Sequence, residues 1–356
     1  MNAAAYLRSN ILRGLCAVGL AAAGIAPAVV AHAADDPGYT VTARWLLGGS
    51  GGWDYLTVDP ARRRLFVTRG DHVEVVDTES GKPLGRIANT EGVHGVALAP
   101  VQKRGYTSNG KGNSITEFDY DTLAVLREVP VPGVNPDAIL YEPAGRRLYT
   151  FNGRSRDVTV FDAGTLALVA KIEVPGKPEF AVDDGRGHIY VNIETEPGQI
   201  VRIDAAKLVI DATWTMPGCD SPTGLAIDRT HARLFSVCDR KVMAVTDAGD
   251  GHPVARVPIG DSPDAAEFDP THGLAFSSNG DGTLTVVRQE SADRYRVVAT
   301  VPTQKGSRTM AFEPTSRRVF LVTAGFGPPP PATAEQPHPR PAPLPDTFTV
   351  LVAAPR

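Results

Sequence analysis

Seven short segments recur along the chain and constrain its fold more than any other feature. They open at Asp54, His94, Asp137, Glu179, Thr223, Asp264 and Arg308, and each runs through small or apolar residues, as in Asp54-Tyr-Leu-Thr-Val-Asp-Pro60 and Asp137-Ala-Ile-Leu-Tyr-Glu-Pro143. Their closing positions, Asp59, Ala99, Glu142, Asp183, Asp228, Asp269 and Glu313, fall 40–45 residues apart. A period of this length, carrying four short strands, is that of a propeller blade.

Each unit reads alike. The opening strand ends in a turn, often with Pro at a corner that its fixed φ suits. An aromatic and β-branched second strand follows, as in Leu65-Phe66-Val67, Leu148-Tyr149-Thr150 and Val319-Phe320-Leu321. The third strand alternates and closes on an acid, as in Val73-Glu-Val-Val-Asp77, with equivalents at Asp119, Asp162, Asp204 and Asp247. A side chain there can accept from backbone N–H groups just beyond it, so these five are assigned to turns and not to chemistry. The fourth strand, such as Leu84-Gly-Arg-Ile87, is short and polar, as an outermost strand tolerates. The last unit supplies only three strands. The missing fourth is found at 39–47, ahead of the first complete unit. The expected fold is therefore all-β: a seven-bladed β-propeller of four-stranded antiparallel blades, closed by the N-terminal strand pairing into the last blade.

Tyr106-Thr-Ser-Asn109, Tyr149-Thr-Phe-Asn152 and Phe276-Ser-Ser-Asn279 resemble the Tyr-Val-Thr-Asn signature of YVTN-type propeller repeats. The order of unit, signature and closing Asp resembles the YncE-like proteins of the bacterial periplasm, over nearly all of the chain beyond the first 34 residues. Arg69, Ile193, Cys238 and Thr323 depart from it, standing where Asn is found in the other units. The resemblance implies a seven-bladed propeller and brings no established general chemistry.

The first 34 residues read as a cleaved signal peptide. Arg8 and Arg13 precede an apolar run over 15–30, then the small-x-small pattern Ala31-His32-Ala33. A membrane anchor is the competing reading, but a run interrupted by Pro27 is short for a span needing about 20 residues. Residues 35–356 then form one propeller, expected to be monomeric and periplasmic or secreted, with no membrane span after cleavage. Cys219 and Cys238 remain as an even pair in an oxidising compartment. Cys219 lies in the loop entering the fifth unit and Cys238 ends that unit's second strand, so both belong to one face. A disulfide is expected, with a pair of soft metal ligands as the alternative. Residues 327–346 form a proline-rich insertion in the last blade, with four prolines at 328–331 and five beyond. Such a segment favours extended polyproline II and is expected to stay out of the sheet, as a solvated insertion or a lid over one face.

In a four-stranded meander, the residue opening each innermost strand recurs around one mouth of the central channel. That ring is Asp54, His94, Asp137, Glu179, Thr223, Asp264 and Arg308, four of them carboxylates. It supports three readings. The polar groups are simply solvated; or His94 with Asp54, Asp137 and Asp264 holds a divalent metal such as Ca²⁺, Mn²⁺ or Zn²⁺, the one candidate cofactor; or the ring binds a small organic ligand, with Arg308 receiving an anionic group. Trp53, behind the Gly-rich segment 48–52, either reaches the same mouth or packs between blades. His72 lies on a nearby loop. Clustered acids raise one another's pKa, so a carboxylate among them can act as a general base. The leading expectation is an exported, non-catalytic propeller that binds a small ligand, ion or protein at this acidic mouth. The alternative is a metal- or carboxylate-dependent, lactonase-like hydrolase using the same residues, an analogy of fold only. Gly-x-Ser-x-Gly, His-Glu-x-x-His and Cys-x-x-Cys-His are absent from the sequence.

The formal net charge of -4 gives no general footprint for nucleic acid. The exception is a set of arginine-bearing turns on the opposite face, Arg62-Arg63-Arg64, Arg146-Arg147 and Arg317-Arg318, expected to be solvated turn residues. N-terminal sequencing of the protein recovered from the exporting cell's periplasm or medium tests the leader: the chain is expected to start at Ala34 or Asp35, and an intact Met1 on exported protein refutes cleavage.

Overall fold

The computed structural model describes residues 38–333, 339 and 341–356. The leader lies outside these residues. The described chain is built from seven four-stranded antiparallel sheets, six of them contiguous in sequence. Blade 1 comprises Leu56–Asp59, Arg64–Thr68, Val73–Asp77 and Pro83–Ile87. Blades 2 to 6 repeat that order from innermost strands Val93–Ala99, Pro136–Glu142, Lys177–Asp183, Leu225–Asp228 and Pro263–Asp269. Blade 7 has Met310–Glu313, Arg318–Thr323 and Thr349–Ala354, and takes its outermost strand from Thr40–Leu46 at the other end of the chain. That strand pairs from Thr40 against Ala354 to Leu46 against Thr349. Each innermost strand touches the innermost strand of the next blade, and that of blade 7 touches that of blade 1, so the ring is closed. Among the described residues no helix is long and apolar enough to cross a membrane.

The core lies in the seams between blades. The second strand of every blade carries a buried aromatic at the equivalent position, Phe66, Tyr106, Tyr149, Tyr190, Phe235, Phe276 and Phe320, and blade 3 adds Phe151. Seam residues come from both sides; Leu65, Val67 and Val76 of blade 1 pack with Phe320, Val322 and Val350 of blade 7. Burying each such side chain contributes roughly 1.5–3 kcal/mol, so every blade is stabilised by its two neighbours. The signature asparagines serve the blade itself. Asn109 donates to Ser114 Oγ and Thr116 Oγ1, and Asn152 to Asp157 and Thr159, fastening second strand to third.

The closing acids of the third strands are turn residues, as expected. Asp77 accepts from the N–H groups of Glu79 and Ser80, Asp119 from those of Asp121 and Thr122, and Asp162 from those of Gly164 and Thr165. The arginine turns differ from expectation in one respect. Arg63 and Arg146 are exposed, and both adopt positive φ within their turns. Arg64, Arg147 and Arg318, which open the second strands, reach across the seam to backbone carbonyls of the next blade: Tyr120 and Asp121, Ala205, and Thr78. A guanidinium fork satisfies carbonyls left free at a turn, so these side chains stitch blades together.

The described part of the insertion joins none of the seven blade sheets. Its base forms a short antiparallel stem, with Phe326 bridged to Pro343, Gly327 N–H donating to Ala342 O and Leu344 N–H to Gly325 O. Proline carbonyls and spacing permit this because glycine and leucine supply the donors that proline lacks. Asp346 then exchanges hydrogen bonds with Gly49, tying the stem to the glycine-rich loop.

Cys219 and Cys238 are joined in a disulfide, which removes the soft-metal alternative. Both are fully buried, and the bridge spans 19 residues of sequence, with Asp220 and Asp239 paired just beyond it. Constraining a loop of that size in the unfolded chain is worth about 2–4 kcal/mol. The Cys219→Ala/Cys238→Ala double variant is expected to unfold at a clearly lower urea midpoint, and wild type under reductant to approach it. A midpoint equal to that of the oxidised wild type refutes a stabilising cross-link.

Candidate functional site

The loops entering the innermost strands emerge on the face that also carries the loops between second and third strands, as the Asp346–Gly49 and Asp220–Asp239 contacts establish. In blades 3 to 6 the ring residue follows a proline: Pro136, Pro178, Pro222 and Pro263. Proline tolerates the first position of a strand because no ladder donor is required there. Beside the ring residue of blades 2, 3, 4 and 6, pairing slips. The register shifts between Val93 and Gly95, Pro136 and Ile139, Pro178 and Ala181, and Pro263 and Ala265. His94, Asp137, Glu179 and Asp264 lie at these four irregularities. A β-bulge leaves one residue outside the ladder and re-aims its side chain, and here it delivers those four to the channel mouth.

The ring residues meet as three charged groups. In the first, His94 Nδ1 lies 2.5 Å from Asp54 Oδ2 and 3.4 Å from Asp137 Oδ1. In the second, Lys177 Nζ contacts Glu179 and lies 3.0 Å from Glu194 Oε2. In the third, Arg308 Nη1 is 2.5 Å from Asp264 Oδ2. Tyr55 links opposite walls: its ring centroid is 5.1 Å from that of Phe180 in blade 4, and its hydroxyl donates to Glu179 Oε2 at 3.3 Å. Blades 1 and 4 are three places apart in the ring, so this buried tyrosine crosses the lumen beneath the mouth.

Enclosure sets the electrostatics. Burial raises the Asp137 carboxyl; His94 opposes and Asp54 reinforces that shift, leaving its pKa at about 6. Burial likewise pushes Asp264 up to about 7 against the pull of Arg308, with Asp54 and Asp137 adding to the rise. Glu179 is held well above the usual carboxylate range by burial, by Asp137 and by its hydrogen bond with Glu194, despite Lys177. For His94, burial disfavours the imidazolium, but the Asp54 hydrogen bond and the charges of Asp137 and Asp54 outweigh it and raise the pKa. The mouth thus combines proton-holding carboxyls with two cationic side chains and an imidazole, an arrangement suited to binding a charged group or moving a proton.

Not every expected residue joins it. Asp264 is paired with Arg308 and stands outside the compact group of Asp54, His94 and Asp137, whose donor atoms lie within 4.8 Å of one another. Thr223 spends its hydroxyl on the carbonyls of Pro263 and Val237, joining blade 5 to blade 6. Trp53 packs on Phe348 and Phe326 in the seam of blades 1 and 7, which is the packing alternative of the two held open for it. His72 pairs with Asp71. Arg69, one of the departures from the signature, stacks 3.7 Å over the Phe348 ring and donates to Gly48 O and Ser50 O, so it holds the glycine-rich loop.

Sequence reasoning missed Lys177, Glu194 and Tyr55. Lys177 stands two residues before Glu179, and in an antiparallel hairpin it pairs with Glu194, so the two strand ends carried the signal. Glu267 was also missed. It lies on the innermost strand of blade 6, enclosed by protein yet bordering the channel, and burial pushes it up to about 7 against the Phe312 backbone N–H.

The chain has the fold of several solved propellers. Hydrazine synthase from Kuenenia stuttgartiensis aligns at a TM-score of 0.67 and 18% identity, covering 76% of this chain and 92% of that one. The U3-55K structure aligns at 0.69 and 12% identity, covering 88% and 98% respectively. The RRP9 WD40 repeats align at 0.71 and 13% identity, covering 89% and 97%. At these identities the likeness is one of fold. No family model and no curated protein matches the chain.

Glu267 provides a pH test of channel burial. Its folded pKa lies above the unfolded value, so the native state binds the proton more tightly, and stability falls as pH rises from about 4.5 to about 7. Glu267→Gln is expected to raise Tm relative to wild type by roughly 2 °C or more at pH 8, and by little at pH 5. An equal difference at both pH values refutes the buried, proton-holding state.

Proposed function

We propose that this protein is an exported, non-catalytic binding propeller whose acidic channel mouth takes up a small charged ligand, an ion or a charged segment of a protein. The observation that carries the reading is the convergence of Asp54, His94, Asp137, Glu179, Asp264 and Arg308 on one mouth, four of them placed there by strand irregularities. A polar ring left to solvent alone gives no reason to enclose so many ionisable groups at once, since each costs desolvation unless it is paired. Membership of the YVTN-type, YncE-like propellers is part of the proposal, supported by the three signature segments. Export is supported by the leader pattern and by a disulfide, a cross-link favoured in oxidising compartments.

A second reading, hydrolysis of a lactone or ester, is favoured by Asp137 and Asp264, whose pKa values of about 6 and about 7 fall where a general base works at neutral pH. One pair of proteins separates the two. Thermal-shift measurements against small cations, amines and carboxylates are expected to give ligands that raise the Tm of wild type but not of the Asp137→Asn/Asp264→Asn variant, with circular dichroism confirming that the variant is folded. A panel in which every shift survives the double substitution refutes the mouth as the site. Turnover of a lactone or ester by wild type, lost in the variant, replaces the binding reading with the hydrolytic one.

A further inference from the structure

The mouth has an uneven distribution of positive charge. Arg308 serves Asp264, and Lys177 serves both Glu179 and Glu194. Asp54 and Asp137 share only His94. Asp137 is the more deprived of the two. Its side chain is 9% exposed, the His94 nitrogen at 3.4 Å is its one ion-pair partner among the described residues, and while its backbone carbonyl accepts from Ser108 Oγ, its carboxylate accepts no hydrogen bond among those residues. A carboxylate this far removed from water ordinarily has two or three donors directed at it. One of its oxygens instead lies within 4.8 Å of donor atoms of both Asp54 and His94.

The three residues open three consecutive blades, so their donors approach from different directions. The imidazole is also fixed in orientation. A Cβ on Gly110 would fall 2.5 Å from His94 Nε2, so the far edge of the ring packs against a position that only glycine leaves free. Nδ1 is left facing the two carboxylates.

We propose that Asp54, His94 and Asp137 hold a divalent first-row transition-metal ion, which forms the inner floor of the binding mouth. This rests on the mouth being the binding site and names its first occupant. Metal–nitrogen and metal–oxygen bonds of about 2.0–2.2 Å place neighbouring donors about 3.0–3.5 Å apart at tetrahedral or octahedral angles. The His94–Asp137 separation of 3.4 Å already falls in that interval, and Asp54, at 2.5 Å from Nδ1, needs to withdraw by a fraction of an ångström. An imidazole nitrogen among the donors disfavours Ca²⁺ and Mg²⁺, which prefer all-oxygen shells, and suits Zn²⁺ or Mn²⁺. Two carboxylates and a neutral imidazole balance a dication. Three protein donors leave coordination positions open toward the mouth, where Arg308 and Lys177 favour an anionic co-ligand.

The test uses the full disulfide-bonded protein, stripped with chelator and dialysed. Zn²⁺ is followed by isothermal titration calorimetry and Mn²⁺ by electron paramagnetic resonance. One equivalent of ion is expected to bind to wild type, and at least tenfold more weakly to His94→Gln and to Asp137→Asn. His252→Gln provides the control, because Asp247, Asp250 and His252 form an exposed group on the opposite face that also brings three donors together. That variant is expected to bind as wild type does. Loss of binding in His252→Gln with retention in His94→Gln overturns the proposal, as does failure of wild type to bind either ion. Should either mouth variant fail to fold, Asp54→Asn makes the same comparison at a more exposed position. If organic ligands raise the Tm of wild type through Asp137 and Asp264 while no metal binds, the metal site is refuted and the binding mouth stands.

Discussion

Everything at the mouth depends on the pairing of the two chain ends within one sheet. Thr40–Leu46 lies against Thr349–Ala354, and without it blade 7 would have three strands and an unpaired edge beside a buried seam. Closure forces the innermost strand of blade 7 against that of blade 1. It thereby brings Arg308, near the end of the chain, into the electrostatic field of Asp54, near its beginning. Local interactions cannot do this. The entropy cost of joining ends some 300 residues apart grows only logarithmically with length, whereas the seam it completes buries a full set of apolar side chains.

A closed ring also changes what an acid experiences. In an open sheet, seven strand-opening residues would each face water. In the ring they share a lumen that Tyr55 and Phe180 narrow from opposite walls. Water is displaced, charges interact at a lower effective dielectric, and the proton affinities of Asp137, Asp264 and Glu179 all rise. The protein counters this with Lys177 and Arg308, placed so that each neutralises acids on its own blade or the adjacent one. The cationic groups are therefore part of what allows the acids to be gathered, and they divide the mouth into regions of different charge.

The sequence made the blade count, the strand order, the closing strand, the turn-capping aspartates and the Cys219–Cys238 pair legible, because each depends on spacing along the chain. Spacing also identified the seven ring positions. It carried no information on which of them turn inward. His94, Asp137, Glu179 and Asp264 sit where pairing slips, while Asp54 and Arg308 reach the mouth from just ahead of regular strands, and both placements are properties of paired strands, not of spacing. Thr223 occupies the same repeat position, yet bonds backbone carbonyls of its own blade and of blade 6. Tyr55 reads as an ordinary apolar residue of an inner strand until the ring places Glu179 opposite it. Arg64, Arg147 and Arg318 read as solvent-facing because the carbonyls they reach belong to the next blade. The common cause is radial direction, which a linear repeat does not encode.

The solved propellers that share this ring at 12–18% identity show how little of the scaffold's sequence is needed to specify it. In this chain the recurring features are small inner strands, a buried aromatic in every second strand and acids at most turns, and these answer to packing and backbone satisfaction. Function on such a scaffold must then lie in what packing does not require. In this chain that surplus is specific. A bare channel mouth needs neither a lysine reaching two glutamates, nor an arginine held against a buried aspartate, nor an imidazole between two more. Gathering these acids costs desolvation that Lys177 and Arg308 offset only in part, and under the binding reading proposed above a ligand recovers the remainder. Asp137 shows the shortfall most clearly: its one ion-pair partner among the described residues is His94 at 3.4 Å, an imidazole that lies closer to Asp54.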